Sequence, residues 1–280
     1  MFIFKTIDEL SRFINEQKTA GKVIGFVPTM GALHPGHISL IKAAQHNNQL
    51  TVCSIFVNPT QFNNPSDLEK YPRTTEADIA LLHDSGCTIL FLPSVEEIYP
   101  NGSASEKQYD LGYVETILDG AYRPGHFQGV AQVVERLLRI VCPDTLYLGQ
   151  KDYQQCAVIN RLIATEKLNI RVEIVPTMRE ADGLAMSSRN RRLTEPQRAL
   201  AGVIYQCLVS IQTKQGLQQF SVVQKECREI LEKKGFKPDY IEIAGAETLE
   251  LLTDYVPGRK TVALVAAHLG DIRLIDNLLL

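Results

Sequence analysis

At 280 residues, 45% hydrophobic and 22% charged, the chain has the make-up of an ordinary globular protein and is long enough for two domains. A formal net charge of -3 gives no electrostatic reason to expect nucleic acid or an anionic membrane surface, and no apolar run is long enough to cross a bilayer. The six cysteines (Cys53, Cys87, Cys142, Cys156, Cys207, Cys227) are scattered without a C-x-x-C pair and read as small core residues in a reducing compartment. With no secretory leader legible at Met1-Phe2-Ile3-Phe4-Lys5, the expected location is the cytoplasm.

Residues 6–19 read as a first amphipathic helix, with Ile7, Leu10 and Ile14 on one face. Val23-Ile24-Gly25-Phe26-Val27 is a buried strand broken by Pro28 and Gly31. Pro35-Gly36 then turns the chain into a helix whose apolar face is Ile38, Leu40, Ile41 and Ala44. A second strand over 51–57 ends at Asn58-Pro59. Thr75 and Asp78 have capping-box spacing and open a helix that stops at Gly86, and 88–92 is the next strand. The alternation continues with a helix over 130–141, a strand at 145–148, a helix over 153–165 and a strand at 170–175, while 101–122 reads as an irregular or hairpin-like insertion. Such alternation predicts an α/β fold: a Rossmann-like, doubly wound parallel sheet over 1–176. After Pro176 the order changes to helices at 195–212 and 220–234, then strands at 240–244, 261–266 and 272–278, which predicts a smaller C-terminal α+β domain over 177–280.

The segments able to carry chemistry sit mostly where predicted strands end, the edge at which doubly wound sheets bind ligands. In Met30-Gly31-Ala32-Leu33-His34-Pro35-Gly36-His37, two imidazoles stand beside a helix N-terminus whose backbone N–H groups and dipole favour an anion, which suits a phosphate chain. Asn58 and Gln61 offer amides for a small polar substrate with carboxylate and hydroxyl groups. Gly149-Gln150-Lys151-Asp152 follows a strand with a point positive charge, and Met186-Ser187-Ser188-Arg189 brings two hydroxyls and a guanidinium. Tyr122-Arg123-Pro124-Gly125-His126-Phe127-Gln128-Gly129 reads as a lid or as a rigid turn packed by Tyr122 and Phe127. Each stretch also has a purely structural reading as an exposed loop, a self-capping Asn-Pro turn or a hydrophilic turn. There is no G-x-x-x-x-G-K-[ST] loop, no G-x-G-x-x-G turn and no H-E-x-x-H, so a zinc site built by the protein is not expected.

Taken in order, these stretches resemble the pantothenate synthetase (pantoate–β-alanine ligase) family, of the H-x-G-H nucleotidyltransferase and class I aminoacyl-tRNA synthetase-like superfamily. The match rests on Pro28-Thr29-Met30-Gly31-Ala32-Leu33-His34-x-Gly36-His37, Phe56-Val57-Asn58-Pro59-x-Gln61-Phe62 and Tyr71-Pro72-Arg73. It continues in Arg123-Pro124-Gly125-His126-Phe127-x-Gly129-Val130, Gly149-x-Lys151-Asp152-x-Gln154-Gln155 and Met186-Ser187-Ser188-Arg189-Asn190. Departures are small: Gln132 for an expected threonine, Leu148 where Phe is common, and Met178 where Val is usual. The resemblance implies ATP-dependent condensation of (R)-pantoate with β-alanine to pantothenate, AMP and pyrophosphate through pantoyl adenylate.

It also implies catalytic roles for His34, His37 and Lys151, with Mg²⁺. The ATP site would comprise Met30, Gly31, Ala32, Leu33, His34, Pro35, Gly36, His37, Gly149, Gln150, Lys151, Asp152, Met178, Met186, Ser187, Ser188 and Arg189. Gln61 and Gln155 would hold pantoate, Gln61 would also meet β-alanine, and the second domain would close over the nucleotide. A homodimer is the implied assembly, with no nucleic acid or membrane partner. The alternative is a nucleotidyltransferase that moves AMP onto a phosphorylated acceptor, against which the paired glutamines and the second domain weigh. A nucleotide-binding regulatory or RNA-binding protein is opposed by the intact histidine and lysine set and the lack of a basic patch.

Overall fold

The computed structural model describes residues 1–62, 65–102 and 107–280. The strands are β1 (Phe2–Phe4), β2 (Ile24–Thr29), β3 (Leu50–Ile55), β4 (Ile89–Phe91), β5 (Thr145–Gly149), β6 (Arg171–Val175), β7 (Phe236–Gly245), β8 (Leu251–Leu252), β9 (Thr261–Leu269) and β10 (Ile272–Leu279). The α-helices up to residue 141 are α1 (Ile7–Thr19), α2 (Pro35–Asn47), α3 (Pro65–Glu69), α4 (Thr75–Asp84), α5 (Val95–Ile98), α6 (Leu118–Tyr122) and α7 (His126–Val141). Beyond it lie α8 (Tyr153–Thr165), α9 (Glu195–Ala201), α10 (Val203–Thr213) and α11 (Phe220–Lys233). By their contacts the residues form two units, Met1–Gly149 with Val158–Pro176, and Gln150–Ala157 with Thr177–Leu280. The segment 150–157, read from sequence as part of the first domain, therefore groups with the second. No helix among the described residues is long and apolar enough to cross a membrane.

The first unit holds a six-stranded sheet in the order β1-β4-β3-β2-β5-β6, parallel throughout. β2 and β3 are apolar on both faces and almost wholly buried, as a parallel sheet covered on both sides requires. On one face Val27, Cys53, Ile55, Leu90 and Tyr147 pack with Leu33, Leu40, Ile41 and Ala44 from α2 and its entry turn and with Leu82 from α4. Chain order reverses between β2 and β5, the switch point at which α/β sheets bind ligands. β2 continues through Pro28, which the sequence reads as its end. The last β2–β5 pair is Phe26 with Leu146, so by Pro28 only β3 remains as a partner and the lost N–H is tolerated.

The second unit holds an antiparallel sheet, β10-β9-β7-β8. Ile241, Ile243, Ala263, Val265 and Ala267 pack against Ile204, Cys207 and Leu208 of α10 and Val223, Cys227 and Leu231 of α11. The expected α/β fold with a smaller α+β part is what the chain adopts.

Several elements differ in detail. The helix expected over 195–212 is two, joined at Gly202, where a Cβ would sit 2.9 Å from the Asp182 carbonyl oxygen. Helix α7 starts at His126, four residues before its apolar run, because Gly125 enters it at a φ of +80°. Residues 107–122 contain a 3₁₀ turn at Gly112–Glu115 and α6 but no strand, so a hairpin is not formed among the described residues; the rest of that reading falls on 103–106, outside them. The short strands β1 and β8 carry too few residues to show a period. Finally, the N-cap position of α4 is Thr74 and not Thr75, with no side-chain cap bond, and the Asp78 carboxylate accepts from Ala32 and Leu33 instead.

Candidate active site

The turn after β2 is built from the backbone outward. Thr29 ends the strand with its hydroxyl donating to the Ser54 carbonyl at 2.8 Å and accepting from the Gly31 N–H at 3.2 Å. Gly31 and Ala32 then both take positive φ, +81° and +50°, a conformation strained for alanine. Asp78, buried on α4, holds them there. Its two carboxylate oxygens each accept one backbone N–H, from Ala32 and from Leu33, both at 2.8 Å, and Thr74 donates to the same group at 3.1 Å. The chain thereby arrives at His34 as the N-cap of α2, with Pro35 in the first helical turn, where a missing N–H costs nothing. His37 follows at the third helical position, and the two imidazole rings lie 4.0 Å apart between centroids. The His34 backbone N–H donates to Nδ1 of His37 at 3.3 Å. Because an N–H can only donate, Nδ1 must be bare and the His37 proton sits on Nε2.

The turn after β3 lies against this one. Asn58 is buried, and its Oδ1 accepts from the Tyr99 hydroxyl at 2.8 Å. Its Nδ2 donates to the Gly129 carbonyl at 3.1 Å and to Oε1 of Gln61 at 3.2 Å. Burial pushes the Tyr99 hydroxyl above its ordinary value, so it stays a donor. With Oε1 of Gln61 occupied, its Nε2 is turned the other way, 2.8 Å from the Met30 sulfur, a weak acceptor that a substrate oxygen would outcompete. The Gln61 carbonyl accepts from Nδ1 of His126 at 2.8 Å, which fixes that proton and leaves Nε2 to accept from Arg123 at 3.0 Å. The 122–129 stretch is thus tied to the Gln61 turn and packed by the buried Phe127, whereas Tyr122 is exposed.

β5, the neighbour of β2, ends at Gly149, where among the described residues an added Cβ would meet no atom within 4 Å beyond its chain neighbours. The 3₁₀ turn Gln150–Asp152 and the half-buried Gln155 belong to the second unit. There the Lys151 ammonium lies 3.2 Å from Asp152. Burial pushes the Cys156 thiol far up, so it supplies no thiolate nucleophile. In the same unit Met178 and Met186 close a small hairpin through the Met186 N–H to Met178 carbonyl bond at 2.9 Å and the Arg179–Ala185 bridge. Ser187 caps the 3₁₀ turn Ser188–Arg192, its hydroxyl accepting from the Arg189 N–H, and Ser188 is buried. Among the described residues no three His, Cys, Asp or Glu side chains converge on a metal position.

The structure therefore brings residues 30–37 together with Gln61 in the first unit, whereas Lys151, Gln155, Met178 and 186–189 belong to the second. Sequence reading missed Asp78, whose place in the first turn of an acidic helix start looked like capping, and Tyr99, which carries no local signal. It also missed Asp276-Asn277, visible only as a polar pair interrupting the apolar run Leu274 to Leu280.

Comparison with known proteins agrees along the whole chain. The family model described as pantoate-beta-alanine ligase matches residues 2–279. The pantothenate synthetase of Pseudomonas fluorescens strain Pf0-1 is 49% identical over 98% of this chain and 96% of its own, and that of Cytophaga hutchinsonii 46% over 100% and 99%. Among solved structures, pantothenate synthetase from Thermus thermophilus superposes with a TM-score of 0.91 at 41% identity, covering 99% of both chains. The pantoate-beta-alanine ligase of Francisella tularensis, solved with beta-gamma ATP and beta-alanine, gives 0.81 at 37% over 100% and 97%. The chain belongs to the pantoate–β-alanine ligase family.

Proposed function

We propose that the chain joins pantoate to β-alanine in two steps, through a pantoyl adenylate. The ATP-dependent ligation is the activity of its family; the division of labour among residues is our reading. A carboxylate is a poor acyl donor, so its oxygen first attacks the α-phosphorus of ATP and pyrophosphate leaves. The β-alanine amine then attacks the acyl carbon, expelling AMP. Negative charge grows on the phosphates in the first step, and preorganised donors aimed there lower its barrier.

The observation that carries this reading is the His34–His37 arrangement: one histidine caps α2 while its backbone N–H fixes the other with Nε2–H outward. A neutral Nε2–H and the α2 N-terminus give donors of fixed direction at low reorganisation cost. Lys151 adds a point positive charge for the leaving pyrophosphate. Residues 30–37 and Gly149-Gln150-Lys151-Asp152 are assigned to ATP, as are Met178, Met186, Ser187, Ser188 and Arg189. Gln61 and Gln155 are assigned to pantoate, and Gln61, through its Nε2, also to β-alanine. Mg²⁺ would accompany the nucleotide and neutralise phosphate charge; among the described residues no three His, Cys, Asp or Glu side chains converge to hold it. A homodimer in the cytoplasm completes the proposal, supported by the family resemblance.

ATP–pyrophosphate isotope exchange with pantoate present and β-alanine absent tests the route. Exchange that requires pantoate is expected. Exchange that requires a phosphorylated acceptor instead would overturn it.

A further inference from the structure

β10 carries two adjacent polar residues, Asp276 and Asn277, both almost completely buried in an otherwise apolar strand end. Buried polar groups are retained only where partners satisfy them, and here the partners are the two segments of the second unit that carry the proposed phosphate-handling groups. The Asp276 carboxylate accepts a bidentate pair from Arg179, at 2.6 and 3.0 Å. Arg179 also donates to the Asn277 and Gly183 carbonyls, each at 3.0 Å, and lies flat on Tyr205 at 4.0 Å. Gly183 admits this stack because a Cβ there would fall 2.1 Å from the Tyr205 ring. Arg179 thus anchors the hairpin that closes at Met178 and Met186 and leads directly into 186–189.

Asn277 grips the other segment. Its amide NH₂ donates to the carbonyls of Gln150 and Lys151, both at 2.9 Å, and its oxygen accepts from the Gln150 side chain at 3.2 Å. Two carbonyls facing one atom require that atom to be the nitrogen. The Tyr153 hydroxyl adds a bond to the Ala246 carbonyl at 2.7 Å, so the whole turn is fastened to the second unit.

We infer that Asp276 and Asn277 are positioning residues for adenylate formation: one dipeptide on β10 fixes Lys151 and the 186–189 segment relative to each other. This rests on the ligase reading above. Neither residue touches a reacting atom in this scheme; they act through Lys151 and through Met186 to Arg189. Because a displacement near 1 Å can cost about a hundredfold in rate, the effect should fall on the first half-reaction and spare the second.

The test uses the full chain and Asn277→Asp, which keeps the shape and removes the NH₂, with Arg179→Lys as the second variant, keeping charge but not the fork. Pantoate-dependent ATP–pyrophosphate exchange reads the first step. A β-alanine chase of adenylate accumulated with pyrophosphatase reads the second. The expected result is exchange lowered on the order of a hundredfold with a raised KM for ATP, and a chase rate within about twofold of the parent. Unchanged exchange in the folded variants, or both half-reactions falling by one common factor, would overturn the inference. If Asn277→Asp does not fold, Arg179→Lys decides by the same split. A parent protein without pantoate-dependent exchange would instead remove the ligase route itself.

Discussion

The His34 backbone N–H points at Nδ1 of His37, 3.3 Å away, so the cap of α2 also sets the tautomer of the second histidine. Protonating Nδ1 would set two N–H groups against each other and break this contact. The donor that His37 offers is therefore Nε2–H of a neutral ring. Replacing His37 by Ala removes it while leaving the capped helix and its Asp78 anchor in place. Adenylate formation should fall roughly 10²–10³-fold, as when one preorganised donor is lost elsewhere, with an unchanged circular dichroism spectrum. Normal isotope exchange in the folded variant would sink the assignment.

Asp78 is the covalently remote half of the same turn. Each of its two oxygens accepts one backbone N–H, from Ala32 or from Leu33, so Asp78→Asn must set an amide NH₂ against one of them. Leaving a buried donor unmet costs about 1–3 kcal/mol, and the positive-φ pair Gly31-Ala32 loses the clamp that holds it. A lowered melting temperature together with loss of exchange activity is expected. A variant that melts lower but exchanges ATP at the parent rate would show that the turn keeps its shape unaided.

Gly129 faces the Gln61 turn at a distance that admits no side chain. A Cβ at this position would lie 2.3 Å from the Thr60 carbonyl oxygen and 2.9 Å from the Gln61 nitrogen. Gly129→Ala must push that turn away and stretch the Asn58 bond to the Gly129 carbonyl. Pantoate binding should weaken by about tenfold or more, an amount typical of a displaced polar contact, while the KM for ATP changes little. Steady-state titration of each substrate separates the two, and an unaltered pantoate KM would count against Gln61 as its ligand.

What could be read from the sequence was local chemistry, and what could not was partnership across the fold. The strand-to-helix turn at His34 and His37 announces itself through Pro28, Gly31, Pro35 and Gly36, and the apolar runs of β2 to β6 stand out between breaker residues. Asp78 lies 46 residues from Ala32 along the chain, and Thr75, three residues before it, offered a nearer and wrong explanation. Asp276 and Arg179 are separated by 97 residues, Asn277 and Gln150 by 127. Nothing in the periodicity of β10 says which loops its polar pair meets; only the topology of the second sheet does.

Acid should loosen the first unit through Glu135. Burial by itself would raise this carboxyl, but hydrogen bonds from Lys107, Tyr109 and Arg139 outweigh it and bring it from 4.5 down to about 2. The sign follows from linkage: a depressed native value stabilises the fold above the ordinary pKa of 4.5, and this contribution is lost as the pH falls from there through about 2. Glu135→Gln keeps the size of the side chain but not its charge. At neutral pH it should lower stability by roughly 1.5–3 kcal/mol, the range for hydrogen bonds to charged groups. Thermal melts of parent and variant, taken from neutrality down to about pH 3, should draw together below the ordinary carboxylate value, because there the unfolded parent binds a proton that native Glu135 still excludes. A gap that stays constant across this range would mean that packing and not ionisation is what Glu135 contributes.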